Sequence, residues 1–372
     1  MHNIRNIYLL GDLHFGIKNS STEWFEIQKS FLLDWFFKKI DEDGFDPEQD
    51  ILIQAGDWNH TREFTNVRIQ NESLEIFKIL SAKFKRGIHI ILGNHDVYYK
   101  DRNDIHSLKG IDTIFTNIKI YESPQVLNIN GIHKFLMLPW EHDLDVLKQQ
   151  IQSNRSKADY IICHADIKDF KLIGNVKVEH GIDTSVLKNY KKIYSGHIHI
   201  RQSKGNITYV GTPYQMDRGD FGNIKGFYKI GVAGSELEET FFENDYSPRY
   251  LKIKAEDLLN LSLEEVNKMF NNNFIDILID DDLAKIFPIS RFVDLISKSG
   301  NRSLEFLPYQ KNKAIDSNGP ELVDSRGYAY SLYEIAEGFL SIRELPSSLQ
   351  DRSISKFKEI HSEVLNSKKI YG

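Results

Sequence analysis

Residues 7–14 read Ile-Tyr-Leu-Leu-Gly-Asp-Leu-His, an apolar run that ends in a glycine and then offers a carboxylate and an imidazole. Four further apolar runs likewise end in a short polar loop rich in histidine or aspartate. The other runs are Ile51–Ala55 before Gly56-Asp57, Ile88–Leu92 before Gly93-Asn94-His95-Asp96, Tyr160–Cys163 before His164, and Lys192–Ser195 before Gly196-His197-Ile198-His199. Largely apolar runs of this length are typical of buried strands. We therefore predict five strands that each lead into a loop of polar, metal-binding residue types.

Helical patterns separate the first three of these strands. They cover residues 22–40 and 66–84, where apolar residues recur at helical spacing. Strands that alternate with helices indicate an α/β layer architecture. In such folds, ligands bind beyond the carboxyl ends of the strands, and all five polar loops stand at that position. The loops are therefore expected to form one site.

Composition narrows the class of protein. The chain has 372 residues, of which 41% are hydrophobic and 27% charged, which predicts one large globular domain with a smaller appendage. A formal charge of −6 does not suggest bulk attraction to nucleic acid, although a local basic groove remains compatible with it. Cys163 is the single cysteine, which excludes a disulfide framework and predicts a reducing compartment. No stretch approaches a membrane span, so we expect a cytoplasmic protein without a membrane partner.

The pattern changes after Thr240, and we predict four segments. Residues 1–240 form the catalytic domain. Residues 241–310 form a small α+β cap, with a capping box at Ser262–Glu265 and strand patterns over 274–279 and 303–307. Residues 311–327, which contain Asn, Ser, Gly and Pro close together, are a linker. Residues 328–372 are two helices with apolar stripes, which pack on the parent domain or bind a partner protein.

The five loops carry seven candidate metal ligands. Each motif alone is weak, because a single histidine is more often structural than a ligand, but five in order at strand ends are not expected by chance. The ligands are Asp12, His14, Asp57, Asn94, His164, His197 and His199. Carboxylate and imidazole without thiolate suit divalent cations. Two such ions about 3.5–4 Å apart activate a water and neutralise a phosphate, and Asp57 is the natural bridge between them.

The order of these motifs resembles that of the calcineurin-like metallophosphoesterase superfamily throughout residues 7–200. The resemblance implies a β-sandwich flanked by helices, in four α/β/β/α layers. It assigns Asp12, His14, Asp57 and His199 to one metal ion and Asp57, Asn94, His164 and His197 to the other. It further implies that His95 contacts the phosphate and acts as general acid, with Asp96 behind it as orienter. His60 either approaches the phosphate or lies at an exposed helix start.

The segment after the histidine pair resembles the DNA-repair nuclease branch of this superfamily. Gly211-Thr-Pro-Tyr-Gln215 and Lys225-Gly-Phe227 are similar to sequences in SbcD-like nucleases and in the recombination endonuclease subunits of T-even-like phages. The resemblance implies a DNA exonuclease and endonuclease that uses two divalent ions. Mn²⁺ is the expected ion, with Mg²⁺, Zn²⁺, Fe²⁺ or Co²⁺ as alternatives. It also implies a homodimer and an SbcC-like coiled-coil ATPase partner that docks on residues 328–372, in the host cytoplasm if a phage encodes the chain.

Substrate contacts are less specific in the sequence. Cationic and aromatic residues near the predicted cleft are candidates for DNA contacts, and each is about as readily a solvated or packed side chain. They are Arg201, Lys204, Tyr214, Arg218, Phe221 and Lys225. Two other functions remain open: a small-molecule or protein phosphatase of the same fold, and a noncatalytic scaffold that organises an ATPase. The complete ligand set argues against the scaffold.

Overall fold

The computed structural model describes residues 3–173, 176–258, 260–280, 293, 296 and 299–309. All of these residues belong to one compact unit. The predicted linker 311–327 and the predicted helices within 328–372 lie outside the described residues. The predicted boundary at residue 240 stays a prediction.

The described chain contains seventeen strands and several helices. The strands are β1 Asn6–Leu10, β2 Asp50–Gln54, β3 Ile88–Ile91, β4 Ile118–Tyr121, β5 Gln125–Ile129, β6 His133–Leu138, β7 Tyr160–His164, β8 Lys171–Ile173, β9 Val176–Lys177, β10 Lys192–Gly196, β11 Gln202–Lys204, β12 Ile207–Tyr209, β13 Gly226–Gly231, β14 Glu238–Glu243, β15 Tyr250–Lys254, β16 Phe274–Asp280 and β17 Ser303–Tyr309. The helices are α1 Ile17–Ser20, α2 Thr22–Ser30, a π-helical segment Phe31–Phe36, α3 Phe37–Glu42, α4 Val67–Lys83, α5 Ile111–Ile114, α6 Leu144–Ser153, α7 Ala255–Leu258 and α8 Leu263–Phe270. Short 3₁₀ turns cover Thr184–Leu187 and Arg218–Asp220.

Two six-stranded sheets form the centre of the fold. Sheet one has the order β14-β13-β1-β2-β3-β4, in which β1 to β4 are parallel and β13 is antiparallel to β1. Sheet two has the order β11-β12-β10-β7-β6-β5, with β12, β10, β7 and β6 parallel. Antiparallel β11 and β5 form its edges. The five predicted strands are thus neighbours, three in sheet one and two in sheet two.

Successive side chains of a strand point to opposite faces of its sheet, so the central strands contribute to the cores on both sides of the sheet. In β1, Ile7 and Leu9 enter a core between the two sheets, whereas Tyr8 and Leu10 enter a core under the helices. Helices α2, α3 and α4 cover sheet one, and α6 covers the outer face of sheet two. The predicted four-layer α/β/β/α sandwich is therefore confirmed.

The first predicted helix is interrupted. Ser21 caps α2 by accepting a hydrogen bond from the Trp24 amide, and the helical path continues to Glu42 through the π-helical segment. A π segment widens the helix locally, and the apolar spacing did not indicate it. The second predicted helix begins as expected, with Asn66 capping α4.

The cap residues form a separate small sheet on the same compact unit. Strands β15, β16 and β17 are parallel, and the predicted capping box at Ser262 starts α8. Phe274 of β16 stacks on Trp24 of α2 with ring centroids 5.5 Å apart. The cap is therefore packed against the helical layer of sheet one. Within the described ranges, no helix is both long and apolar enough to cross a membrane.

Candidate metal centre

The seven candidate ligands meet where the two sheets present the carboxyl ends of their parallel strands. Sheet one supplies the loops after β1, β2 and β3, and sheet two supplies the end of β7 and the loop after β10. The seven residues are largely withdrawn from solvent, with Asp12, His14, Asp57, Asn94 and His164 buried. A buried concentration of carboxylates and imidazoles is stable only when its members compensate one another or bind cations.

One half of the centre surrounds His14. Its Nε2 atom lies 3.1 Å from Nε2 of His199 and 3.6 Å from Oδ2 of Asp57. Asp12 completes the group, with Oδ2 at 3.8 Å from Nε2 of His199. Donor atoms of Asp12, His14 and His199 all lie within 4.8 Å of one another. This mixture of carboxylate and imidazole donors fits a hard or borderline divalent ion.

The other half surrounds Asn94. Its Oδ1 atom lies 2.9 Å from Nε2 of His164 and 2.8 Å from Nδ1 of His197. The Nε2 atom of His164 is also 3.4 Å from Oδ2 of Asp57. The same Asp57 oxygen therefore faces both halves, as a bridging carboxylate must. These residues fit a pair of divalent ions that share Asp57.

Hydrogen bonds behind the histidines fix which nitrogen faces the centre. Nδ1–H of His164 donates to the Ala55 carbonyl at 2.8 Å, which leaves Nε2 for a metal. Nε2–H of His197 donates to Asp166 at 3.0 Å, which leaves Nδ1. Such outer partners set the tautomer and orientation of metal-binding histidines. The sequence reasoning missed Asp166, whose position two residues after His164 was the available signal.

Burial and charge couple Asp57 to His164. Burial acts to raise the pKa of Asp57, but the adjacent His164 outweighs it and holds that pKa well below its usual range. Burial likewise acts to lower the pKa of His164, but Asp57 and Asp12 raise it to about 9. A cation that binds Nε2 of His164 must displace this proton. The Asp57 carboxylate thus has a protonated imidazole as its partner at the position where a cation would compete with that proton.

Three ligands have left-handed backbone conformations, with φ of 51° at His14, 57° at Asp57 and 82° at His197. Such φ values are uncommon outside glycine and persist where the surroundings enforce them. The amides of Leu13 and His14 both donate to the Asp57 carbonyl at 3.0 Å. Nε2–H of Gln28, on α2, donates to the carbonyls of Leu13 and His14 at 2.6 and 2.9 Å. Helix α2 thus helps to hold the first metal-binding loop in shape.

Glycines before the ligands allow this convergence. A Cβ atom on Gly93 would lie 2.1 Å from Oδ1 of Asp57, and one on Gly196 would lie 2.2 Å from the Ala55 carbonyl oxygen. No side chain fits at such distances. The recurring glycine of the sequence pattern is therefore required by the close approach of neighbouring strand ends.

His95 and His60 stand beside the centre. The His95 ring is 4.8 Å from the His14 ring and stacks on the His60 ring at 5.1 Å. Nδ1–H of His95 donates to the His60 carbonyl at 2.6 Å. His60 therefore lies in the site and not at an exposed helix start.

The role predicted for Asp96 is corrected. Its carboxylate accepts the backbone amides of Gly93, Asp57 and Asn59 at 2.9–3.0 Å, and the Nδ1–H of His95 donates to the His60 carbonyl. The carbonyl of His60 orients His95 instead. Asp96 fixes the loop after β2 to the loop after β3, because its buried oxygens satisfy amides from both.

The predicted DNA contact of Tyr214 is corrected, whereas those of Arg201 and Arg218 stay predictions. Tyr214 is buried, and its hydroxyl donates to the Leu13 carbonyl beneath the site. Arg201 lies 4.1 Å over the Phe241 ring and donates to the Tyr228 hydroxyl. Arg218 pairs with Asp276 and Glu305 of the cap sheet. The Tyr214 hydroxyl is therefore satisfied inside the protein, whereas both arginines remain partly exposed beside their protein partners.

Lys225 supports the centre from below. Its ammonium group is buried and donates to the His199 carbonyl and the Thr212 hydroxyl, each at 2.8 Å, and to Asp220. Lys225 thus positions the His199 loop and is not free to contact DNA. Nζ of Lys204 lies 3.8 Å from Oδ2 of Asp169. The Phe221 side chain is exposed.

Comparison with known proteins agrees with this geometry. The family model for calcineurin-like phosphoesterases matches residues 5–201, more than half of the chain. The chain belongs to this family, whose members are metal-dependent hydrolases of phosphate esters. It is also similar to Exonuclease subunit 1 of Enterobacteria phage T4, with 26% identity over 301 residues. That alignment covers 78% of this chain and 84% of the phage protein.

Proposed function

We propose that the chain is a DNA exonuclease and endonuclease that hydrolyses phosphodiester bonds with two divalent ions. The observation that carries this proposal is the position of Asp57 Oδ2 between His14 and His164, with complete ligand sets on both sides. Two bound ions supply positive charge for the phosphate and make a water nucleophilic near neutral pH. Mn²⁺ is the ion we expect, although Mg²⁺, Zn²⁺, Fe²⁺ and Co²⁺ suit the same ligands.

The chain's own residues complete the chemistry. His95 donates Nδ1–H to the His60 carbonyl, so Nε2 is the atom available to deliver a proton to the leaving oxygen. His60, which stacks on His95, would contact the same phosphate. Gln28, Lys225 and Asp166 hold the ligand loops from outside, so the centre needs little rearrangement to accept a substrate.

The proposal that DNA is the substrate rests on the similarity to the phage protein. The phage protein's name describes an exonuclease subunit, and the similarity spans most of both chains. A family fold alone would not choose a substrate, because the site and its loops determine specificity. The similarity continues beyond residue 201, where the family model ends, which favours the nuclease over a generic phosphatase.

The direct test is DNA cleavage by the purified full chain. Linear DNA should be degraded with Mn²⁺, cleavage should stop when EDTA removes the ion, and it should return when Mn²⁺ is restored. The products are read on a denaturing gel with end-labelled strands, which also reports polarity. If both ion sites fill and no DNA is cut with any of the five metals, the nuclease proposal is wrong.

A phosphatase of the same fold is the second candidate, supported by the family match. It predicts turnover of a phosphomonoester or a cyclic nucleotide under conditions in which DNA remains intact. Measuring p-nitrophenyl phosphate and DNA side by side therefore separates the two functions.

We further propose that the chain is the nuclease subunit of an SbcCD-like recombination complex, homodimeric and active in the cytoplasm. The apolar stripes of residues 328–372 would dock an SbcC-like coiled-coil ATPase. Replacing Phe339 and Ile342 with glutamate in the full chain should abolish co-purification with such an ATPase, whereas Ser341→Glu should not. Retained binding by the double variant, or after deletion of 328–372, would move the docking site elsewhere.

A further inference from the structure

Trp140 lies beside the second half of the metal centre. It follows β6, and its amide donates to the Leu92 carbonyl at the end of β3. Its ring centroid is 5.0 Å from that of His197 and 6.1 Å from that of His164. The indole is therefore adjacent to two candidate ligands, within the reach of one nucleotide whose phosphate occupies the centre.

The environment of Trp140 differs from that of the other three tryptophans. Trp24, Trp35 and Trp58 are 5%, 5% and 0% exposed, whereas Trp140 is partly open to solvent. The indole N–H groups of Trp35 and Trp58 donate to Asp245 and Ser73. Within the described part of the chain, no acceptor is found for the N–H of Trp140. An indole that is partly exposed and has a free donor is suited to an external ligand.

Trp140 also lines a pocket of about 150 Å³. One wall is the loop Lys100–Asn103, which follows His95 along the chain, and the other is Pro139–Glu141. The Asn103 side chain donates to the Trp140 carbonyl at 2.9 Å and to the Glu122 carbonyl at 3.3 Å, which fixes the two walls together. The pocket is thus a formed feature between the loop that follows His95 and Trp140, whose ring lies beside His197.

The lining chemistry matches a nucleotide. A flat indole face receives a base, and the pocket's polar groups meet the base edges. The lining is of mixed charge: Lys100 and Arg102 could meet the flanking phosphates, and the carboxylates of Asp101, Glu122 and Glu141 could accept hydrogen bonds from the base edges. Arg102 lies 4.4 Å over the exposed Tyr99 ring, and Tyr99 packs edge-on against exposed Tyr98. Two exposed aromatic rings and a cation thus lie together beside the pocket.

We propose that this pocket binds the nucleobase next to the scissile phosphate, with Trp140 as its stacking platform. The inference rests on the proposed nuclease function. It adds a residue that contacts the base, whereas the metal centre would contact only the phosphate. Stacking of this kind tolerates every base because each has a π-face. The pocket therefore fixes the position of the cut strand and does not select a sequence.

The first experiment measures binding in EDTA, so that no metal is needed. A short single-stranded oligonucleotide should quench the tryptophan fluorescence of the wild-type chain, because Trp140 is the accessible indole. Trp140→Phe keeps an aromatic ring and should remove this quenching, whereas Trp24→Phe should retain it. Quenching that survives in Trp140→Phe would overturn the proposal.

The second experiment compares cleavage of normal DNA with cleavage of the same strand carrying one abasic nucleotide beside the cut bond. Wild type should lose about 5- to 150-fold in kcat/KM on the abasic strand, the range expected for one stacked base. Trp140→Leu should cleave the two strands equally, and Trp140→Phe should restore most of the discrimination. If wild type cuts both strands equally, the base pocket is wrong while the nuclease function stands. If wild type cuts no DNA, the proposed function fails and this inference fails with it.

Discussion

Asp57→Asn should release at least one of the two metal ions and slow DNA cleavage by about 10⁴-fold, since metal stabilisation contributes several kcal/mol to such reactions. Oδ2 of Asp57 faces Nε2 of both His14 and His164, at 3.6 and 3.4 Å. An amide nitrogen at that position cannot bind a cation. The substitution therefore removes the bridge from both halves of the centre at once.

The fold should survive this substitution. Asparagine tolerates the φ of 57° at this position better than most residues, and its amide oxygen can still accept the His95 amide, as Oδ1 does now at 2.7 Å. Ions per chain are counted by mass spectrometry after gel filtration, and cleavage is measured on linear DNA. The matched control is Asp34→Asn at an exposed helical position, which should keep two ions. A bridge variant that keeps both ions and near-wild-type cleavage would contradict the assignment.

His95→Gln should leave the metal content unchanged and lower kcat on DNA by about 10²–10⁴-fold, the usual contribution of a positioned general acid. Glutamine can still donate to the His60 carbonyl, which now receives Nδ1–H of His95 at 2.6 Å. It cannot deliver a proton from a second nitrogen. The loss therefore reports proton transfer and not the collapse of the loop.

The leaving group provides the sharper test. A thymidine p-nitrophenyl phosphodiester releases p-nitrophenolate, which leaves without being protonated, so His95→Gln should slow its cleavage much less than that of DNA. An equal decrease in kcat on DNA and on the p-nitrophenyl diester would assign His95 to phosphate binding alone. His180→Gln, at an exposed position outside the site, is the matched control and should behave as wild type on both.

The sequence predicts the framework of this site because apolar runs and strand-end loops are local features. The glycine before Asp57 and the histidine pair at 197 and 199 can be located without coordinates, since each follows its own strand. The alternation of helical patterns with the first three strands likewise predicts an α/β architecture, whereas the four layers follow from the resemblance of the motif order to a known superfamily. The order of the motifs then identifies which loops belong together.

The supporting contacts are not local, and the sequence could not supply them. Asp96 accepts amides from Gly93, Asp57 and Asn59, and any residue has an amide, so the pattern beside His95 suggested a different role. Gln28 and Lys225 donate hydrogen bonds to backbone carbonyls. Every residue has a backbone carbonyl, so the residue type at the acceptor position does not indicate the contact. Tyr214 appeared as a cleft residue because its loop is polar, but its hydroxyl is satisfied by a buried carbonyl.

The division of the ligands between two sheets bears on how the protein is made. Asp12, His14, Asp57 and Asn94 leave the ribosome early, but His164, His197 and His199 emerge much later, and β13 and β14 complete sheet one only after residue 225. Neither ion has a full set of ligands until both sheets exist and have docked. If the chain cuts DNA as proposed, the nascent polypeptide cannot cleave the DNA of the cell in which it is made. Nuclease activity then begins only when folding is complete.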